Sequence, residues 1–199
     1  TLPEMVEVVV DDDAVAILFA ARHLDLIAIT TVHGNNTLKN TTINALKVLE
    51  LAGLDIPVAA GADRPLVQAG NPVATLHGKS GLDGADLPTP KRKPIKDHAV
   101  DVIIETARAH KEELVVAVVG PQTNIALALR REPRLAKWVR EFTVMGGSAT
   151  FGNVTPAAEF NIYCDPEAAA MVFESGAPVR MAGYNMTRVT GFDAGDIAR

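Results

Sequence analysis

The chain has 199 residues, 48% of them hydrophobic, and a formal net charge of −5; this is the composition of a folded chain with one sizeable core, not of a disordered segment. The acidic balance and an aromatic content of 5% argue against a nucleic-acid partner, which would need a broad basic face or a base-stacking platform. Cys164 is the only cysteine, so no internal disulfide framework is available, and the expectation is a soluble, cytoplasmic protein with neither signal peptide nor membrane-spanning run.

In chain order, residues 6–10 form a short run, apolar apart from Glu7, as expected of a strand buried on both faces. Residues 14–21 read as a helix with the carboxylates of Asp11, Asp12 and Asp13 at its N-terminus. A second strand is expected over 26–31 and a helix over 37–51, with Gly53 as its stop. A short third strand covers 57–60. Residues 61–96 are rich in Gly, Pro, Asp and Lys and predict a long loop, a kind of segment that is often functional; its Lys91-Arg92-Lys93 cluster reads as solvated. A helix follows over 98–109, a buried strand over 114–119, helices over 123–130 and 135–139, and a strand over 142–145 that ends in Gly146-Gly147. Asp165 is placed to cap a helix reaching residue 174, with Pro166 in its first turn, and 179–182 is the last strand. The repeated β-α-β order predicts a single domain over 1–199, with a mostly parallel sheet and helices on both faces. Such sheets bind ligands beyond the carboxyl ends of their strands. That rule selects residues 11–13, 33–36, 120–124 and 145–161.

Four residue groups in those places carry chemistry. Adjacent carboxylates at 11–13 repel one another unless a cation or hydrogen-bond donors offset them; a hard divalent ion would do so, and so in part would a helix start. Gly34-Asn35-Asn36 offers amide donors and acceptors suited to sugar hydroxyls, or is an ordinary turn. Thr123, in Gly120-Pro121-Gln122-Thr123-Asn124, reads locally as a helix cap. Asn153, Glu159 and Asn161 are polar groups able to grip a ribose that Phe160 would shield, or else they belong to a surface loop. His77 lies in the long loop within reach of a substrate, and His33 adjoins Asn35. No two histidines have helical metal-ligand spacing, and no dinucleotide, phosphate-loop or nucleophile-elbow motif is present. A phosphatase built on the aspartate run would lack a companion Lys or Ser/Thr phosphate motif.

Taken together these segments resemble the inosine-uridine preferring nucleoside hydrolase family. The matching pieces run in family order: Asp12-Asp13-Ala14-Val15-Ala16, Ile29-Thr30-Thr31-Val32-His33-Gly34-Asn35, His77-Gly78-Lys79-Ser80-Gly81-Leu82, Gly120-Pro121-Gln122-Thr123-Asn124-Ile125-Ala126, Val144-Met145-Gly146-Gly147, Ala158-Glu159-Phe160-Asn161 and Asp165-Pro166-Glu167-Ala168. The resemblance implies a Rossmann-like fold, a homodimer or homotetramer, and a Ca²⁺-assisted hydrolysis of a ribonucleoside to ribose and base. It implies Asp13, the main-chain carbonyl of Thr123, and Asp11 as metal ligands. Asp12 would contact a ribose hydroxyl, and Asn35 would order the aspartates and touch the sugar. Asn153, Glu159 and Asn161 would bind ribose, Met145 would line the pocket, and His77 would lie near the base. Calcium would position a water and the ribose diol while an aspartate takes the water proton, and carboxylates would stabilise the positive charge that builds on the sugar.

The family's first turn reads Asp-x-Asp-Pro-Gly-x-Asp-Asp, whereas here Val8-Val9-Val10 leads into Asp11-Asp12-Asp13. Either Val8 replaces the base aspartate, or Asp11 is the first Asp of the motif and about five residues are absent between Asp11 and Asp12. The second reading is preferred because it leaves Asp11 at the strand's end. In both, the presumed general base has no counterpart. A late His-Asp pair that the family carries is also expected to lie beyond residue 199, just as the start of the gene product is expected upstream of Thr1. The alternative reading is a catalytically inactive relative that binds a nucleoside or ribose.

Overall fold

The computed structural model describes residues 2–8, 11–70, 78, 80–82, 87–191 and 195, and of residues 8, 11 and 12 the backbone alone. Among the described residues the apolar runs form six strands: β1 (Pro3–Val8), β2 (Asp25–Thr31), β3 (Val58–Ala60), β4 (Val115–Val118), β5 (Glu141–Met145) and β6 (Val179–Ala182). They make one sheet in the order β3-β2-β1-β4-β5-β6, and every pair is parallel. The helices are α1 (Asp11–His23), α2 (Leu38–Leu51), α3 (Ala99–Ala109), α4 (Thr123–Arg131), α5 (Leu135–Trp138), α6 (Phe160–Cys164), α7 (Pro166–Phe173) and α8 (Tyr184–Thr187).

Alternation along the strands explains why both faces are covered. On one face Met5, Ala28, Val116 and Phe142 pack with Ile103 of α3, Ile125 of α4, Leu135 of α5 and Val172 of α7. On the other, Val6, Ile29 and Val58 meet Ile17 of α1 and Leu46 and Leu49 of α2. The strand order reverses direction between β1 and β4. A crevice therefore opens at that switch point, between the chain leaving β1 and the chain leaving β4.

Helix ends follow local chemistry. The Thr37 hydroxyl accepts from the Asn40 N–H at the start of α2. At its other end the Leu54 N–H reaches the Leu49 carbonyl and the Gly53 N–H reaches that of Glu50, with Gly53 at φ 67°; this double closure favours glycine at the left-handed position. Arg92 docks on this end, donating to the carbonyls of Leu54 and Ile56, so the basic cluster is not simply solvated. No helix or strand occurs among the described residues of 61–96, and none of the described helices is long and apolar enough to cross a membrane.

Two expectations change. Asp11 opens α1 rather than closing the first strand, which is described over Pro3–Val8; Val9 and Val10 lie outside the described residues. An aspartate run has poor strand propensity and suits the positive end of a helix. The stretch around residue 160, expected as a polar loop, contains α6, capped by the Glu159 side chain accepting from the N–H groups of Asn161 and Ile162.

One sheet residue breaks the apolar pattern. Glu7 of β1 is fully buried, its Oε2 accepting from the Thr30 hydroxyl at 3.3 Å and its Oε1 without a hydrogen-bond partner among the described residues. Burial pushes its carboxyl up to about 8, with Asn124 and Thr30 only partly offsetting this. The folded state therefore keeps a proton that the unfolded chain releases near its ordinary value of 4.5. Stability is fully present below that value and is lost as pH rises toward 8, by on the order of a few kcal/mol. Thermal unfolding followed from pH 5 to pH 8 should show a falling midpoint in the wild type and a flatter profile in Glu7→Gln; parallel profiles would refute the assignment.

Candidate functional site

The carboxyl edge of the sheet is buried and polar. Gln122, Thr123 and Asn124 are 0%, 1% and 0% exposed; polar groups so enclosed need partners, which Thr123 and Asn124 have and the Gln122 amide does not find among the described residues. Thr123 is the first residue of α4, and Gln122, not Thr123, holds the cap position, with no side-chain cap bond. The Thr123 hydroxyl is turned away from its own helix because it donates to Asp165 Oδ2 at 2.6 Å and meets His33 Nε2 at 2.9 Å. Asp165 also accepts from the Leu66 N–H at 3.0 Å and caps α7 through the Ala168 N–H at 3.1 Å. Asn124 works alongside: its amide donates to the Thr31 carbonyl at 3.0 Å and accepts from the Ala62 N–H at 2.8 Å. Two neighbouring side chains thus tie α4 to the ends of β2 and β3 and to α7.

The β2–α2 junction is held just as closely. Asn36 is buried; its Oδ1 accepts from the Thr37 N–H and the Asn40 amide, both at 2.9 Å. Asn44 donates to the Ser80 carbonyl at 2.8 Å, which brings Ser80 beside α2. Asn35 is half-buried in the bend between β2 and α2. His33, Asn36, Asp63, Arg64 and Cys164 are among the residues lining a cavity of about 730 Å³ at this edge. Burial lowers the His33 imidazole from its ordinary value against the pull of Asp165 and Asp63. The Cys164 thiol is pushed up to about 12, by burial first and then by Asp165 and Glu159, so it stays protonated and is no nucleophile.

Across the switch point, Asn161 donates from one amide nitrogen to the carbonyls of Val119 at 3.1 Å and Met145 at 3.0 Å, stitching the ends of β4 and β5. Glu159, 2% exposed, accepts from the N–H groups of Gly147 and Asn161, each at 2.9 Å. Burial raises its carboxyl, and these backbone donors partly offset the rise. Asn153, exposed, accepts from the Phe160 N–H at 2.8 Å. Phe160 is itself buried and lines a small recess with Pro65, Val154 and Tyr163.

Of the residues singled out in the sequence, Met145, Asn161 and Glu159 form one connected group through Gly147, and Asn153 joins them through Phe160. Thr123 belongs to a second group with His33 and Asp165. Asp13 is buried in the first turn of α1. The side chains of Asp11 and Asp12, and the whole of His77, lie outside the described residues. His33 and Asp165 carry no site role in the sequence reading: His33 lies in a selected strand-end segment beside Asn35, and Asp165 reads as a helix cap. Neither local signal shows a bond across 90 or 42 positions.

Asp13 and the Thr123 carbonyl are oxygen donors on two adjacent strand junctions, the donor type a hard divalent cation takes. Among the described residues, however, no group of three or more His, Cys, Asp or Glu comes together to hold a metal. Those residues alone do not complete a shell.

A family model described as inosine-uridine preferring nucleoside hydrolase matches residues 9–199. The pyrimidine-specific ribonucleoside hydrolase RihA of Citrobacter koseri is 46% identical over 191 residues, which cover 94% of this chain and 61% of that protein. An uncharacterized protein of Schizosaccharomyces pombe is 45% identical over 193 residues, covering 94% of this chain and 62% of its own. Among solved structures, a purine-preferring ribonucleoside hydrolase from Gardnerella vaginalis superposes with a TM-score of 0.88 at 33% identity, over 91% of this chain and 60% of that one. The chain spans about three fifths of the length of these relatives.

The packing at Asn124 is open to a direct test. A Cβ added to Gly61 would overlap the Asn124 side chain and force it off the Thr31 carbonyl and the Ala62 N–H. Gly61→Ala should therefore cost about 1–3 kcal/mol in denaturant unfolding. An unchanged midpoint would mean that Asn124 turns aside freely and does not hold this edge.

Proposed function

The chain belongs to the inosine-uridine preferring nucleoside hydrolase family, and from that premise we propose that the whole protein hydrolyses the N-glycosidic bond of ribonucleosides to ribose and free base. The observation that carries this reading is the gathering of Glu159, Asn161 and Met145 beside the β4 end and of Thr123 and His33 across the switch point. In this reading Asn35, Asn153, Glu159 and Asn161 bind the ribose, Asp12 meets a ribose hydroxyl, Met145 lines the pocket and His77 lies near the base.

The chemistry asked of these groups is electrostatic. Departure of the base leaves positive charge on the sugar ring, as in other glycoside hydrolyses. Buried acceptor oxygens fixed before the reaction stabilise that charge without reorganising. Glu159, held by main-chain N–H groups on two sides, meets this requirement. When bound, a calcium ion would orient the attacking water and the ribose diol; Asp13 and the Thr123 carbonyl are its proposed ligands here, with Asp11 as the third. The pyrimidine-specific relative at 46% identity makes uridine and cytidine the first substrates to try.

One observation favours a second reading. Asp11, Asp12 and Asp13 lie on the first turn of α1, where helix capping is reason enough for three carboxylates, and the presumed general base is missing. A catalytically inactive relative would bind a nucleoside or ribose without turnover.

A single assay separates the two. The whole protein, supplied with Ca²⁺, should release reducing sugar from uridine, cytidine or inosine. Binding by calorimetry with no release establishes the binding-only relative, and neither binding nor release from any common nucleoside refutes both readings. If the hydrolase reading holds, chelation should abolish release and Ca²⁺ should restore it; activity that survives exhaustive chelation would remove calcium from the scheme.

A further inference from the structure

The Thr123 hydroxyl has one proton, and that proton is engaged. Asp165 takes it at 2.6 Å while also accepting the main-chain N–H groups of Leu66 and Ala168. A hydroxyl that donates in one direction can only accept in the other. The 2.9 Å contact between Thr123 Oγ1 and His33 Nε2 is therefore a bond in which Nε2 carries the hydrogen and Thr123 accepts it. This assigns the imidazole proton from the network around it. The resulting chain has a direction, His33 to Thr123 to Asp165, and leaves Nδ1 as the acceptor nitrogen of the ring. Its members are 5%, 1% and 0% exposed, so water does not replace a missing partner without cost.

We infer that His33, the Thr123 hydroxyl and Asp165 are positioning residues of the nucleoside site, an assignment that rests on the hydrolase reading. His33 directly precedes the Gly34-Asn35-Asn36 bend, and its own N–H is held by the Ala62 carbonyl at 3.0 Å. Thr123 begins α4, and Asp165 begins α7. β2 and β4 are not neighbours, because β1 lies between them. The chain of bonds links the junctions on either side of β1 and fixes both to the α7 cap. The ligand-binding groups of the proposed function, Asn35 and the Thr123 main chain, sit on these two junctions. Small displacements of positioned groups are costly in rate, so the chain acts on the reaction without touching the reacting atoms.

The test uses the whole protein. Thr123→Val removes the hydroxyl at nearly constant volume, and Thr123→Ser gives it back. The expected result is a folded Thr123→Val with kcat/KM for its best nucleoside lowered about tenfold or more, most of the loss in kcat, and recovery of most of that loss in Thr123→Ser. Long-range ¹H–¹⁵N spectra of the imidazoles, which need no turnover, should show His33 protonated at Nε2 in the wild type and in Thr123→Ser. Should Thr123→Val not fold, His33→Leu replaces it, with His33→Gln, whose amide nitrogen can donate from the Nε2 position, as the rescue. An active wild type with an indifferent Thr123→Val, or a His33 proton on Nδ1 alone, overturns this inference and leaves the hydrolase reading standing. In a wild type that binds a nucleoside without cleaving it, the same ranking is expected in Kd, and equal Kd values overturn the inference. A wild type that neither binds nor cleaves overturns the hydrolase reading and this inference with it.

Discussion

Two side chains at the start of α4 hold the carboxyl edge of the sheet together. A parallel sheet brings the chain out of every strand at the same edge, and here those exits are buried. Main-chain carbonyls and N–H groups that would face water in an open loop must find partners within the protein. Asn124 serves the Thr31 carbonyl and the Ala62 N–H; Thr123 serves His33 and Asp165. Removing either would leave several buried groups unpaired at once, and the loss would exceed that of a single surface bond. Gly61 reflects the same constraint from the other side, since only a residue without a Cβ lets the Asn124 amide lie against the end of β3.

Much of the architecture was legible in the sequence because parallel strands covered on both faces leave a strong trace. The runs in β2, β4 and β5 are apolar, β-branched and spaced by helical patterns, and their structural bounds differ from the expected ones by at most one residue at an end. Less was legible where the signal is short or long-range. α6 has five residues, too few for a helical period to emerge from polar surroundings. Glu7 is a charge inside an apolar run, and nothing local says that it faces a helix instead of water. Asp165 was readable as a cap because capping is local chemistry. Its bond to Thr123 was not readable, because it depends on where α4 and α7 meet in space.

The site residues also illustrate how one side chain serves fold and ligand together. Asn161 engages an amide nitrogen with two strand-end carbonyls, so the group left for a ligand is its carbonyl oxygen. Glu159 takes the main-chain N–H groups of Gly147, Ile162 and Asn161 on its two oxygens, which leaves at most one of a carboxylate's roughly four acceptor positions. Met145 presents a main-chain oxygen and a sulfur to the same amide. At these three residues the fold consumes donors and leaves acceptors.

That imbalance has a chemical consequence. Fixed acceptors of this kind pair with groups that bring their own donors and stabilise positive charge that develops beside them. The oxygens are held by main-chain bonds and were desolvated when the chain folded, so little reorganisation is left for the moment of reaction. The bonds that let strand ends be buried are therefore the same bonds that hold these acceptors in place.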